Sequence, residues 1–181
     1  MTAFGSRPED VFAEAAIGTE RLLLTPLVQG HADEMVEVLA DARLHQFIGG
    51  RPATLAELRT RYAALAAGSP RPDELWRNWV VRRRADAQPV GTVQAILIRG
   101  HDGWAAQVAW VVGAAWQRQG FAAEAARALV GWLDRGGARE IVAHIHPDHA
   151  ASERVAARAG LRPTDDLVDG ERVWRRIAGD G

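Results

Sequence analysis

The stretch Ala109-Trp110-Val111-Val112-Gly113-Ala114-Ala115-Trp116-Gln117-Arg118-Gln119-Gly120-Phe121-Ala122-Ala123-Glu124-Ala125 reads as a strand that runs into a loop and then opens a long helix. The loop carries Gln117-x-x-Gly120-x-Ala122. Backbone N–H groups in the first turn of a helix have no intrahelical partner. Together with the helix dipole they make a site for an anion. Gly120 lets the backbone come close to a phosphate, and the small side chains of Ala122 and Ala123 leave the first turn unobstructed. The chemistry this suits is the cradling of a diphosphate. An ordinary strand–loop–helix joint that happens to hold a glycine is the competing reading. Glu124, an acid in the first turn, weighs mildly against a bare anion site. Arg118, Arg154 and Arg158 are the side-chain candidates for phosphate, and the last two, four apart, share a helix face.

A second set of residues could move a proton. Glu34, Asp41 and His45 belong to the first helical region. His144 and His146 alternate along a strand with Ile141, Ala143 and Ile145, and a packed, structural histidine is the alternative for each. With His149 as a third nitrogen the pair has some resemblance to a metal site, but spacing fixes no acidic partner and no metal is expected. Trp104 and Trp110 share a strand face, and Trp116 follows in the loop. These rings either line an apolar tunnel or fill the core of an alanine-rich domain. Arg82-Arg83-Arg84 ends a strand and reads as a solvated edge.

Composition removes several chemistries. All 22 basic residues are arginine, so there is no Schiff-base lysine and no lysine-bearing phosphate loop. The chain has no cysteine, which excludes thiol nucleophiles, disulfides and cysteine-ligated zinc. Its only serines are Ser6, Ser69 and Ser152, none within G-x-S-x-G, so a hydrolase elbow is absent. The formal charge of -1 and a pI near 6.6 argue against wholesale nucleic-acid binding. No apolar run approaches the roughly 18 residues that cross a membrane, and MTAFGSRPEDVF has no signal-peptide core. A cytoplasmic protein is expected, with no membrane or nucleic-acid partner; a homodimer is left open.

These residues need elements to hold them. Residues 1–18 read as a loose N-terminal tail and 19–181 as one domain. Arg21–Leu27 reads as a strand ended by proline. Met35, Val38, Leu39 and Ala42 have helical spacing. Thr54-Leu55-Ala56-Glu57 is a capping box that starts a second helix, carried by Leu58, Tyr62 and Leu65 to about residue 67. Trp79–Arg84, Val90–Arg99 and Trp104–Gly113 form an antiparallel meander. A helix follows Gly120 as far as Arg135, then a strand over Glu140–His146, then a helix with Asp148 as its expected N-cap and its end at Gly160. Leu161–Thr164 and Glu171–Arg176 close the chain as a hairpin around Val168-Asp169-Gly170. The fold class is therefore α/β of the α+β kind. A mixed, mostly antiparallel central sheet is flanked by helices in the order β-α-α-β-β-β-α-β-α-β-β.

Three segments carry a resemblance. The Gln117–Ala122 loop resembles motif A, Q/R-x-x-G-x-G/A, of the GNAT superfamily of acetyl-CoA-dependent N-acetyltransferases. The run from Ala143 through His149 and Ser152 to Ala159-Gly160-Leu161 is similar to that family's strand–loop–helix with N-x-x-S before the helix and G-F at its end. Thr19-Glu20-Arg21-Leu22-Leu23-Leu24 is similar to the T-x-R-L-x-L opening of the branch of ribosomal-protein N-terminal (alanine) acetyltransferases. The likeness spans roughly residues 19–177.

What the resemblance implies is acetyl transfer from acetyl-CoA to a primary amine, either a protein N-terminus or a small molecule. The amine attacks directly, without an acyl-enzyme. A non-catalytic CoA-binding module of the same fold is the alternative. Two central strands would be splayed with acetyl-CoA between them. Trp110, Val111, Val112 and Gly113 would meet the pantetheine through their backbone, with the amide near Val112 facing the thioester carbonyl as oxyanion donor. Gln117, Arg118, Gln119, Gly120, Phe121 and Ala122 would hold the diphosphate, with Arg154 as a further cofactor contact. Ser152 would meet the cofactor sulfur or its leaving thiolate, or else bond back to a helix carbonyl. His149 stands where the family usually has asparagine, and Ala156 where one branch has a tyrosine acid.

Overall fold

The structure, a computed structural model, describes residues 11–178. Strands β1 (Ile17–Gly18) and β2 (Leu22–Pro26) come first, followed by helices α1 (Ala32–Val38), α2 (His45–Ile48) and α3 (Leu55–Ala67). A meander of β3 (Glu74–Arg83), β4 (Pro89–Gly100) and β5 (Gly103–Val112) leads to α4 (Phe121–Arg135). Strand β6 (Glu140–Ile145), helix α5 (Ala150–Arg158) and the hairpin β7 (Arg162–Val168)–β8 (Glu171–Ile177) complete the chain. One eight-stranded sheet results, in the order β1-β2-β3-β4-β5-β6-β8-β7. Every neighbouring pair is antiparallel except β5 and β6.

Local chemistry sets the element ends. Thr54 Oγ1 accepts the N–H of Glu57, and Glu57 Oε2 accepts the N–H of Thr54 at 2.8 Å, so the predicted capping box opens α3. Asp169 and Gly170 both take positive φ, +51° and +83°, as a two-residue hairpin turn of the primed kind requires. The sheet is covered on both faces. Trp79, Val81, Val93, Ala95 and Leu97 pack with Ala125, Leu129 and Leu133 of α4 and Ala156 of α5. Met35 of α1 and Leu58 and Tyr62 of α3 pack on Val80 from the other side.

Four expectations change. Within the supposed tail, Phe12 and Ile17 are packed into the core. Phe12 is fully buried, with its ring edge-on to Trp104 and Trp132 at 5.9 and 5.4 Å. Trp79 Nε1 donates to the Ala15 carbonyl at 2.9 Å, and Ile17 pairs with Leu24 in β1. The α4 terminus leaves room for this ring only because Gly136 has no Cβ; one there would lie 2.2 Å from Phe12. A lone aromatic among small residues gives no periodic signal, which is why the sequence hides it. The rest of that tail, residues 1–10, lies outside the described residues, as do 179–181 of the domain.

The arginine triplet is no solvated edge, since β3 lies between β2 and β4. Arg82 is paired with Glu34, Arg83 is paired with Asp86 and stacks 4.7 Å over Trp116, and Arg84 donates to the Thr19 carbonyl at 2.9 Å. Asp148 does not cap α5, because His149 occupies the N-cap position. The element order gains β1 and α2, each too short to show a period of its own.

Candidate acetyl-transfer site

Between β5 and β6 the ladder has only three rungs, Ala105–Gln107 against Glu140–Val142. Beyond Gln107 the two strands have no further paired positions, and a gap opens between Val108–Val112 and Ala143–Ile145. Alternation decides what faces it. The Gly113 N–H donates to the Val90 carbonyl at 2.9 Å, while the Trp104 carbonyl accepts the Arg139 N–H at 2.8 Å. Odd-numbered residues of β5 therefore turn their backbone to β4, and even-numbered ones turn theirs toward β6. The edge groups of Val108, Trp110 and Val112 meet the gap. The Val112 carbonyl is taken by Gln117 Nε2 at 3.1 Å, which ties the following loop to the strand and leaves the Val112 N–H on the open edge.

This alternation corrects two of the four expected pantetheine contacts. Val111 turns its backbone groups to β4, Gly113 gives its N–H to Val90 and its carbonyl to the Trp116 N–H, and only Trp110 and Val112 have the required orientation. The Val111 side chain instead lines a cavity on the sheet's other face. The Trp110 ring, like those of Trp104, Trp116 and Trp132, is partly buried against the core, and the Trp116 ring also borders an open cleft beside Gly113 and Ala114.

The loop after β5 is a short 3-10 turn, Ala114–Trp116, followed by Arg118 at φ +63° and Gly120 at φ +84°. That left-handed turn at Gly120 caps α4 with no side chain, so the N–H groups of Phe121, Ala122 and Ala123 at the head of a 15-residue helix are left for an anion. Glu124 does not oppose it with a free charge. Its carboxylate accepts Thr19 Oγ1 at 2.6 Å, Arg21 N at 2.9 Å and Arg21 Nε at 2.7 Å, and it is ion-paired with the Arg21 guanidinium at 2.6 Å. Burial alone would raise the Glu124 pKa, but these donors outweigh it and hold the carboxyl below its ordinary value. Arg21 also donates to the Gln119 carbonyl at 3.0 Å and lies 5.0 Å over the Phe121 ring. The T-x-R opening thus braces the loop. Its residues were visible in the sequence, but their partner, about a hundred positions away, was not. Arg118, Arg154 and Arg158 form no ion pair among the described residues, and α5, which carries the last two, packs against α4.

Across the gap, His149 at the start of α5 stacks on Phe47 of α2, with ring centroids 4.2 Å apart and an 11° angle. Burial, then the charge of nearby His146, lowers the His149 pKa. His146 lies 5.6 Å from the same Phe47 ring, and its Nδ1 accepts the Asp148 N–H at 3.2 Å. His144 Nδ1 is 3.4 Å from Gln107 Nε2, beside the last rung. His144 on β6 and His146, just beyond the strand's end, are half-exposed, unlike the buried Ile141, Ala143 and Ile145, so neither is packed in the core. Ser152 makes no side-chain hydrogen bond among the described residues, so its hydroxyl is not bonded back to a helix carbonyl. Ala156 is fully buried in the core cluster.

Beneath β3, β4 and β5 lies a cavity of about 160 Å³, walled by α1, α2 and α3. Asn78 and Gln94 face each other across β3 and β4, and Thr92 pairs with Val111 across β4 and β5, which sets three polar side chains on its floor. Asn78 is the one buried polar side chain among the described residues, yet nothing in its sequence context marks it. Burial pushes the Tyr62 hydroxyl up to about 12. His45 lines the cavity and places Nδ1 3.1 Å from the Gly49 carbonyl; with its proton there, Nε2 keeps the lone pair. The acids considered as bases stand elsewhere. Glu34 and Asp41 line a separate open cleft. Glu34 is held by Arg82, and hydrogen bonds from the Arg43 side chain and backbone pull Asp41 down to about 2. Among the described residues no three metal-ligating side chains come together.

A family model described as an acetyltransferase (GNAT) domain matches residues 21–162. No curated protein sequence matches the chain. Among solved structures, an acetyltransferase of the GNAT family from Bacillus anthracis superposes with a TM-score of 0.74 at 18% identity, covering 91% of this chain and 99% of that one. RimL, a ribosomal L7/L12 alpha-N-protein acetyltransferase solved with coenzyme A, has a TM-score of 0.75 at 18% identity, covering 90% and 98%. The microcin C7 self-immunity acetyltransferase MccE, solved with acetyl-CoA and AMP, has a TM-score of 0.70 at 14% identity, covering 88% and 93%. At such identities the likeness is one of fold. It extends to the mixed, mostly antiparallel open sheet and its flanking helices.

Proposed function

Because the chain belongs to the GNAT acetyltransferase family, we propose that it moves an acetyl group from acetyl-CoA to a primary amine, a protein N-terminus or a small molecule, by direct attack. The observation that carries this reading is the double use of one strand. The Val112 N–H faces the gap beside the phosphate-loop end of β5, while the adjacent Val111 side chain lines the cavity beneath. Donor and acceptor would therefore meet at consecutive residues.

The residues present fit the co-substrate. N–H groups of Phe121, Ala122 and Ala123 at the α4 terminus would hold its diphosphate, with Arg118, Arg154 and Arg158 as unpaired cations. Gln119 and Gln117 keep the loop in shape, and the edge groups of Trp110 and Val112 would meet the pantetheine amides. When bound, acetyl-CoA supplies the activated acyl carbon. The Val112 N–H would donate to its carbonyl oxygen as negative charge develops there. Ser152, with a free hydroxyl, would donate to the leaving sulfur, and His149 would stand in for asparagine at the cofactor's flank. The acceptor must arrive without its extra proton. His45 Nε2, directly or through a water, is the base within the cavity wall.

Thiol release from acetyl-CoA, followed across a library of amines and peptides, tests the proposal. Turnover with at least one class is the expected result. Tight CoA binding with no turnover on any amine would make the chain a CoA-binding module instead. Absence of thermal stabilisation at CoA far above micromolar levels would refute both readings.

A further inference from the structure

The acceptor cavity has a chemical signature of its own. Its walls are apolar, contributed by Leu27, Leu39, Leu58 and Leu65 among others. On its floor the Asn78 side chain is 94% buried, since only 6% of its surface is exposed, yet it makes no hydrogen bond among the described residues. The Asn78 amide is thus left to whatever fills the cavity, and the Tyr62 hydroxyl, in the same lining, is buried with no hydrogen-bond partner among the described residues, a costly state that a bound ligand would relieve. Gln94, opposite Asn78, and Thr92 are likewise without side-chain partners among the described residues. The ionisable side chains in the lining are Arg61, His45 and Tyr62, and no carboxylate lines the cavity. Most arginines of this chain are tied to a carboxylate, a carbonyl or a ring, but Arg61 has no such partner among the described residues. Glu34, the acid whose charge reaches Tyr62, is occupied by Arg82 and lines a separate cleft.

These features point in one direction. A cavity without carboxylates and with a guanidinium at its wall disfavours a polycation. Both the apolar walls and the Arg61 charge disfavour an ammonium over a neutral amine, so they also favour the nucleophilic form. The volume, about 160 Å³, admits on the order of ten water-sized groups, far less than a large oligomeric substrate. We infer that the preferred acceptor is a small primary amine with an apolar body and a carboxylate, its amine under Val111 and its carboxylate toward Arg61. The Asn78 and Gln94 side-chain carbonyls would accept hydrogen bonds from its amine, the group that all such acceptors share. The inference rests on the acetyl-transfer reading above and specifies the substrate class of that site.

The test compares three acceptors of equal chain length with acetyl-CoA: an ω-aminocarboxylate, its carboxamide and the corresponding diamine. For the unmodified protein, kcat/KM should fall in that order, with roughly tenfold or more between the first and last, as one charge-assisted contact provides. Arg61→Gln, at an exposed position, should bring the carboxylate and carboxamide to within about twofold, through KM, with CoA affinity unchanged. Asn78→Leu should lower kcat/KM for all three. A diamine that is the best substrate, or a carboxylate preference that survives Arg61→Gln, overturns the inference while acetyl transfer stands. No thiol release with any of these or with the wider amine library, while CoA still stabilises the protein, overturns the transfer reading and this inference with it.

Discussion

Glu124→Gln separates two properties that usually move together. The carboxylate holds Thr19 and the backbone of Arg21 on Oε1, and the Arg21 guanidinium on Oε2. A glutamine keeps an acceptor oxygen for the first pair but turns an NH2 group toward the guanidinium, so the two-pronged ion pair is lost. With the Arg21 side chain 47% exposed, water recovers part of that energy. The remaining loss is about 1–2 kcal/mol. At about 2–4 °C per kcal/mol for a chain of this size, the melting temperature should drop by about 2–8 °C.

CoA affinity should move the other way. A negative charge leaves the first turn of α4, and the freed Arg21 guanidinium, already 3.3 Å from where a Cβ on Gly120 would lie, stays beside the cradle. A first-turn charge is worth about 0.3–1 kcal/mol, so CoA should bind roughly two- to fivefold tighter. Thermal unfolding without ligand and calorimetric titration with CoA read the two effects separately. The pH dependence adds a check. A carboxyl held below its ordinary value of 4.5 contributes stability above that pH and loses it as pH falls through the folded-state value. The gap between the two proteins should therefore close in acid. Weaker CoA binding together with the lower melting temperature would refute the electrostatic reasoning and assign Glu124 to holding the loop's shape.

Two further expectations concern other parts of the molecule. Phe12→Ala removes a ring with no exposed surface and should destabilise the fold by about 3–5 kcal/mol in chemical denaturation; a change under 1 kcal/mol would return residues 11–18 to the status of a loose tail. His149 has a lowered pKa, so the unfolded chain takes up its proton first, and stability should fall as pH drops below about 6.5. His149→Asn should flatten that slope in melting curves between neutral and mildly acidic pH, and an unchanged slope would mean the Phe47 stack tolerates the charged ring.

How far the sequence could be read depended on the range of each signal. The capping box at Thr54 and Glu57, the Asp169-Gly170 turn and the buried face of α4 are local patterns, and each stands where it was expected. Gln117 and Gly120 were found because a loop leading into a helix N-terminus states its chemistry within a few residues. Asn78 was not, since its burial follows from the register with Gln94 and from helices that pack across both. The Glu124–Thr19–Arg21 brace and the Phe47–His149 stack join residues about a hundred positions apart, beyond any periodicity. Glu34 is held by Arg82, 48 positions away, which no local pattern announces, whereas the Arg43 partner of Asp41 lies only 2 positions on.

Among the described residues, the three rungs between β5 and β6 are also the only ladder joining the five strands β1–β5 to the three strands β6, β8 and β7. The sheet is thus two plates with a seam, and α4, which leads from one to the other, is followed after its Gly136 cap by the exposed Gly137. A chain divided at that glycine would give two fragments whose reassembly rests on three rungs, the packing of α4 on α5, the Phe47–His149 stack and the Asp134–Arg176 ion pair. A ligand lying in the seam would touch both plates and act as their rivet, so fragment complementation could serve as a binding assay that needs no catalysis.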